Sequence, residues 1–233
     1  MFSAHHVGDK AGDTPTHCPR ANNKMELEEK LKEALEELRK EKPRKFSQSV
    51  DLIVNLQKFD IKKSNINIFV QIPHKIKDKK IVAFFETKHK ELETITKNDF
   101  KKYSEKKEIK KLIGNYDFFI AQASLMPSVA TAFGRVLGPT GKMPSPQLGI
   151  VMNPDDKSIN ELVEKINHSI RIRAKEASIK TVVGKDKMKD SDIVENIMTV
   201  YNALLKVLPK GNDNVKNIEI KFTMTKPMKI NLK

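Results

Sequence analysis

Between Gly134 and Pro146 the chain reads GRVLGPTGKMPSP, thirteen residues with three glycines and three prolines. Glycine reaches backbone conformations closed to other residues and lets a second backbone approach closely. Proline fixes φ and removes a hydrogen-bond donor. So many of both in a short stretch cannot continue a helix or a central strand, and a shaped loop is expected. Arg135 and Lys142 make the segment cationic. Two readings stay open: a rigid turn without a ligand, and a contact surface for nucleic acid or protein, with Arg135, Gly138, Gly141 and Lys142 on it.

A nucleotide-binding phosphate loop is excluded by spacing. That loop places four residues between its glycines and follows with Lys and Ser or Thr. Here only Pro139 and Thr140 separate Gly138 from Gly141, and Met143 stands where a magnesium-binding hydroxyl is needed. Catalysis elsewhere also lacks support. His74, His89 and His168 fall on different expected elements, with no nucleophile elbow or zinc-protease signature around them. The chain is not expected to be an enzyme or to need a cofactor.

The 233 residues suffice for two small domains or one large one, and carry a formal net charge of +14. A basic chain of this kind meets phosphate, nucleic acid first and anionic membrane second. No apolar run approaches the ~18 residues of a transmembrane helix, and no basic amphipathic helix with an aromatic face stands out. With one cysteine, Cys18, the chain cannot form an internal disulfide, and a reducing cytoplasm fits. Residues 1–24 are polar, Gly/Pro-containing and aperiodic, hence expected to be a disordered leader. His5, His6, His17 and Cys18 lack the short fixed spacings of a zinc site, so no metal is expected.

Hydrophobic periodicity organises the rest. Asn23 to Lys40 predicts a helix capped by Asn23, with Leu27, Leu31, Leu35 and Leu38 in one stripe. The stretch Lys42–Ser49 combines cations, an aromatic and hydroxyl or amide groups, a mixture that suits RNA; it equally suits a linker with Phe46 in the core. Alternation predicts strands at Val50–Leu56 and Ile66–Ile72. An apolar run predicts buried strands at Ile81–Phe85 and Asp117–Ala121. Helices are expected over Asn98–Ile113, Pro127–Leu137, Ser158–Ile170 (with Ser158 and Glu161 as a capping box) and Asp190–Leu208. Arg171–Val183 reads as strand material, and Ile218, Ile220, Phe222 and Met224 alternate in a last strand.

Five ordered segments, KPRKFSQS, YDFFIAQASLMPSV, GRVLGPTGKMPSP, VVGKDKM and KFTMTKP, together resemble the ribosomal protein L-one family, in wording closest to its archaeal branch. The resemblance covers nearly all of Met25–Lys233. It implies an α/β (α+β) fold of two domains. One is a discontinuous, open-faced α/β sandwich over 25–72 plus 152–233. The other is an inserted Rossmann-like α/β domain over 73–151, here shortened, with one helix missing between the strand at Ile81 and the helix near Phe100. It further implies a structural protein of the large ribosomal subunit, cytoplasmic and monomeric within the ribosome. Its expected partners are large-subunit ribosomal RNA, exit-site tRNA whose release it assists, and its own messenger RNA, whose translation it represses. The family's main RNA site maps onto Arg44, Lys45, Phe46, Ser47, Gln48 and Ser49, with Thr223 and Met224. Thr225 stands where the family has glycine, which puts the closest approach to RNA in question. Arg173, Lys175 and Lys180 extend the expected basic surface.

Overall fold

The structure is a computed structural model and describes residues 19–41, 44–60, 66–89, 92–103, 106–152, 155–174 and 176–230. Its chain order opens with helix α1 (Pro19–Arg39) and strands β1 (Ser49–Leu56) and β2 (Asn67–Gln71). Next come β3 (Ile81–Phe84), β4 (Glu93–Ile95), a 3-10 helix (Lys97–Tyr103), α2 (Lys106–Asn115), β5 (Phe118–Gln122), α3 (Met126–Thr140) and β6 (Ile150–Val151). The last part holds α4 (Asp156–Asn167), β7 (Ser169–Arg173), β8 (Ser178–Lys185), α5 (Asp190–Val207), β9 (Val215–Phe222) and β10 (Met228–Ile230).

The first sheet has strand order β10-β9-β1-β8 and is antiparallel throughout. Alternate residues of β1 (Val50, Leu52, Val54, Leu56) and of β9 (Ile218, Ile220, Phe222) are buried, as a strand with one covered face requires. The cover comes from α1 and α5. Leu27, Leu31, Leu35 and Leu38 of α1 are buried as their spacing predicts, together with Ile193, Ile197, Val200 and Leu204 of α5. This core draws on residues up to Ile72 and again from Ile172 onward. The other face of the sheet is open, with Asp51, Ile53, Lys180 and Lys221 half-buried or exposed along it.

The second sheet has order β4-β3-β5-β6 and is parallel throughout. Its strands are covered on both faces, so β3 reads as a continuous apolar run and all four of its residues are buried. One face carries α2 and α3, through Ile109, Leu112, Val129, Phe133 and Leu137. Phe84 and Phe133 meet there with ring centroids 5.2 Å apart, and Phe100 adds an edge contact to Phe133 at 5.1 Å. The opposite face carries α4, through Ile159 and Ile166. Between the two sheets runs a two-stranded antiparallel ribbon, β2 with β7, in the register Asn67↔Arg173 to Gln71↔Ser169. The architecture is thus mixed α/β, with one antiparallel and one parallel sheet, as the resemblance implies.

Several expectations need correction. Helix α1 starts at Pro19, a residue whose fixed φ suits a first helical position, rather than at Asn23. Residues 19–24, read as leader, are therefore helical, and residues 1–18 with their histidines and Cys18 lie outside the described residues. Helix α4 starts at Asp156 behind an extended Asp155, so Ser158 sits inside the first turn and does not cap it. That helix packs on the parallel sheet. Strands β4, β6 and β10 are too short to show periodicity and were not expected. Only residues 85–92 separate the parallel neighbours β3 and β4. That is too short for the usual helical crossover, so the shortening expected here falls on a helix while the strand is kept.

The Gly/Pro segment departs most from expectation. Helix α3 continues through Gly134, Gly138 and Pro139 and ends only at Gly141, which takes the left-handed conformation with φ 74°. Pro139 is tolerated because it sits in the last turn, where its missing N–H removes a single helical bond. The Thr140 hydroxyl donates to the Leu137 carbonyl at 2.9 Å beside it. A Cβ at Gly134 or Gly138 would meet nothing within 4 Å, so neither glycine is required by close approach. Only Gly141 is required by its backbone. Its N–H reaches back to the Gly138 carbonyl at 3.0 Å and the Lys142 N–H to that of Leu137 at 3.2 Å, a left-handed helix cap.

Candidate nucleic-acid interface

The antiparallel registers decide which segments meet. Ser49 at the start of β1 lies opposite Lys185 at the end of β8, and Val50 lies opposite Phe222 at the end of β9. The sequence-distant stretches 44–49, 185–189 and 222–225 therefore converge at one end of the sheet. Hydrogen bonds lock them together. The Ser49 N–H donates to Thr223 Oγ1 at 3.0 Å, and the Thr223 hydroxyl lies 3.4 Å from the Ser49 carbonyl it can donate to. The Met224 N–H donates to Gln48 Oε1 at 3.3 Å. Ser47 Oγ donates to Asp186 Oδ1 at 2.8 Å, and the Asp186 N–H donates to the Gln48 carbonyl at 3.0 Å.

This network fixes a surface that carries groups suited to RNA. Arg44, Lys45, Ser47 and Thr223 are exposed, while Gln48 is buried and serves as the internal strut. Phe46 is 50 % exposed and Met224 58 % exposed, so two large apolar side chains stand in solvent at the same sheet end. The sequence reading left open whether Phe46 belongs to the core; it does not. In RNA-binding proteins generally, aromatic faces stack on unpaired bases and cations contact phosphates.

Thr225 has a structural use. Its hydroxyl accepts the Phe222 N–H at 2.9 Å, and its own N–H donates to the Phe222 carbonyl at 3.2 Å. Among the described residues only Lys58 combines a side chain with positive φ, so the position does not need a glycine conformation. The turn between β9 and β10 is closed by the side chain instead.

Asp186 is a member of this cluster that sequence reasoning missed. Burial works against its charge, but hydrogen bonds from the Gln48 backbone and the Ser47 hydroxyl, with the nearby Lys187, outweigh it and hold the carboxyl below the usual carboxylate range. Its signal was present: it is the one acid among the lysines of VVGKDKM. On the open face Asp51 is pushed the other way, burial raising its carboxyl while Lys221 partly compensates.

Lys180 projects from β8 opposite Ile53, five residues along the strand from Lys185, and pairs at 3.8 Å with Glu176. Arg173 is exposed at the end of β7. Lys175 lies outside the described residues. Of the second predicted group, Arg135 is exposed on α3. Lys142 is not a free cation: its ammonium donates to the carbonyls of Ile113 at 2.6 Å and Tyr116 at 2.7 Å, closing the C-terminal end of α2. Helix C-termini leave carbonyls unpaired, and a lysine satisfies them well.

A cleft of about 630 Å³ separates the end of the antiparallel sheet from the parallel one. Ser49 and Lys180 line it from one side, Gly141 and Lys142 from the other, with Arg171 and Arg173 between. Arg171 stacks over the Phe69 ring at 5.4 Å and donates from Nε to Asn67 Oδ1 at 3.0 Å. Burial and the neighbouring Arg173 depress its proton affinity. Ser49, Arg173 and Lys180 of one predicted group and Gly141 and Lys142 of the other thus border one cleft, although they lie in separate parts of the chain. Lys79 sits deeper in the wall. Its ammonium donates to the Ile166 carbonyl at 2.6 Å and to that of Ser169. Burial pulls its pKa down to about 8, against the opposing pull of Asp117. Among the described residues no cluster of His, Cys, Asp and Glu has the makings of a metal site, and no helix is long and apolar enough to cross a membrane.

The chain is similar to known proteins over most of its length. The profile of the ribosomal protein L1p/L10e family matches residues 38–226. The large ribosomal subunit protein uL1 of Pyrobaculum islandicum is 38 % identical over 217 residues, covering 88 % of this chain and 93 % of that protein. The protein of the same name from Pyrococcus abyssi is 34 % identical, covering 87 % of this chain and 95 % of that protein. That of Nanoarchaeum equitans is 33 % identical, covering 80 % and 92 %. The five ordered segments, the two-sheet α/β architecture and a match across 38–226 converge on one conclusion: the chain belongs to the ribosomal protein L1p/L10e family.

Proposed function

We propose that this protein is a structural component of the large ribosomal subunit and binds ribosomal RNA through the sheet end formed by residues 44–49, 185–186 and 222–225. The observation that carries the reading is the hydrogen-bonded convergence of these segments under exposed Phe46 and Met224. Recognition there rests on shape, stacking and sugar–phosphate contacts, and no side chain is asked to do chemistry. Family membership and the uL1 names of its relatives support the ribosomal assignment and a cytoplasmic place for it.

The chain works as two domains joined by the β2–β7 ribbon, the antiparallel unit holding RNA and the parallel unit standing outward on the mobile stalk. That outward unit faces exit-site tRNA and assists its release. The same RNA fold in the messenger lets the protein repress its own translation. Arg44, Lys45, Arg173 and Lys180 supply phosphate contacts, and Arg135 belongs to the outward surface.

Titration of the full chain with a large-subunit ribosomal RNA fragment, and with an unrelated RNA of equal length, tests the assignment. At physiological salt the cognate fragment binds more tightly. Affinity for both falls with salt, each phosphate neutralised contributing a log–log slope of about 0.7–0.9. Equal affinity for the two RNAs overturns the proposal.

A further inference from the structure

The strongest polar convergence outside the exposed face lies just behind it, at the end of α1. Arg39 donates from Nε to Asp190 Oδ1 at 2.8 Å, from Nη1 to the Asp186 carbonyl at 3.0 Å and from Nη2 to the Met188 carbonyl at 2.9 Å. Nη2 also lies 2.6 Å from Asp190 Oδ1. One guanidinium thus serves two backbone carbonyls of the short connection between β8 and α5, and the carboxylate of the first residue of α5.

That connection is a tight turn, closed by the Met188 N–H donating to the Lys185 carbonyl at 3.1 Å. Backbone carbonyls need hydrogen-bond partners. Those of Asp186 and Met188 find Arg39. Asp186 is also the residue that holds the exposed face from beneath, accepting from Ser47 Oγ and donating its N–H to the Gln48 carbonyl. Gln48 in turn receives the Met224 N–H. A continuous path of hydrogen bonds therefore runs from Arg39 through Asp186 and Gln48 to Met224.

We propose that Arg39 is a positioning residue for the RNA-binding face: it fixes the β8–α5 connection so that Asp186 can hold Ser47 and Gln48 in place. The inference rests on the RNA-binding reading above and adds to it a residue that does not touch RNA. Each of its three nitrogens donates to a protein acceptor, and the planar fork matters. A lysine at this position offers one point charge and cannot span acceptors on both sides of the turn.

The test uses the full chain with Arg39→Met, Arg39→Lys and Asp190→Asn, each first checked for folding by circular dichroism. Titration with the large-subunit RNA fragment over a salt series is expected to show affinity about tenfold weaker for both Arg39 variants. The log–log salt slope stays at its wild-type value, because no phosphate contact is lost. Arg39→Lys does not rescue, affinity for unrelated RNA is unchanged, and Asp190→Asn moves affinity in the same direction. Amide hydrogen exchange without RNA supplies an independent readout: the Asp186 and Met224 N–H groups exchange faster in Arg39→Met. A slope reduced by about 0.7–0.9 makes Arg39 a phosphate contact and overturns the inference. So does unchanged affinity in a folded Arg39 variant, or in Asp190→Asn should the Arg39 variants fail to fold. Failure of the wild type to discriminate the two RNAs sinks the functional reading instead, and leaves the exchange result to judge the positioning role.

Discussion

The Thr223 side-chain oxygen sits 3.0 Å from the Ser49 amide nitrogen and accepts its hydrogen, joining residues 174 positions apart in the chain. A strand start and a strand end are thereby stitched where the sheet meets solvent. Thr223→Val keeps the shape but leaves that half-buried amide without its acceptor. The variant is expected to lose about 1 kcal/mol of stability and to bind the large-subunit RNA fragment about five- to tenfold more weakly. Denaturant titration and RNA titration of the same preparation check both.

Lys142→Ala is expected to act on folding and not on RNA discrimination. Its ammonium satisfies the Ile113 and Tyr116 carbonyls at the end of α2. Hydrogen bonds to a charged donor are worth about 1.5–3 kcal/mol, so urea unfolding should show a loss of roughly that size, less whatever water recovers. An RNA specificity ratio that collapses in a still-folded Lys142→Ala protein would move the main site to the α3–β6 loop.

Thr225→Gly should make this protein less stable. The Thr225 hydroxyl is the acceptor for the Phe222 N–H, and the position is not at positive φ. The change removes a hydrogen bond and adds backbone freedom to the unfolded chain, together about 1–2 kcal/mol. Thermal unfolding measures it, and a stabilised variant would contradict the turn geometry.

Stability should depend on pH through Lys79. Its folded pKa is lowered to about 8 from 10.5 by burial. Between those values the unfolded chain holds the proton more tightly than the folded one, so stability contributed at this site rises with pH. The wild type is therefore expected to gain stability relative to Lys79→Met as pH climbs from about 8 toward 10, in urea unfolding at each pH. A difference that is flat or falls over that window refutes the assignment.

Periodicity alone made much of this molecule legible. The leucine stripe of α1, the alternation in β1 and β9, the amphipathic run of α5 and the all-apolar β3 are each written in consecutive residues, because burial follows the 3.6- and 2-residue repeats of helix and strand. The ordered segments likewise carried the family, and with it the expected RNA-binding residues at 44–49 and 223–225. What local pattern could not carry was anything that depends on where distant segments meet. Whether Phe46 is core or surface, which carbonyls the Lys142 ammonium reaches, and which sheet α4 covers are settled by packing partners far away in the chain. The Gly/Pro stretch misled for the same reason: Pro139 falls in a last helical turn, where losing one N–H is tolerable, and only the position of the turn reveals that. Asp186 and Arg39 gain their meaning solely from the register that sets Ser49 against Lys185. Local sequence determined the elements and the family; the antiparallel pairing of β1 with β8 and β9 decided which residues stand together, since hydrogen-bond partners are chosen by proximity in space and not along the chain.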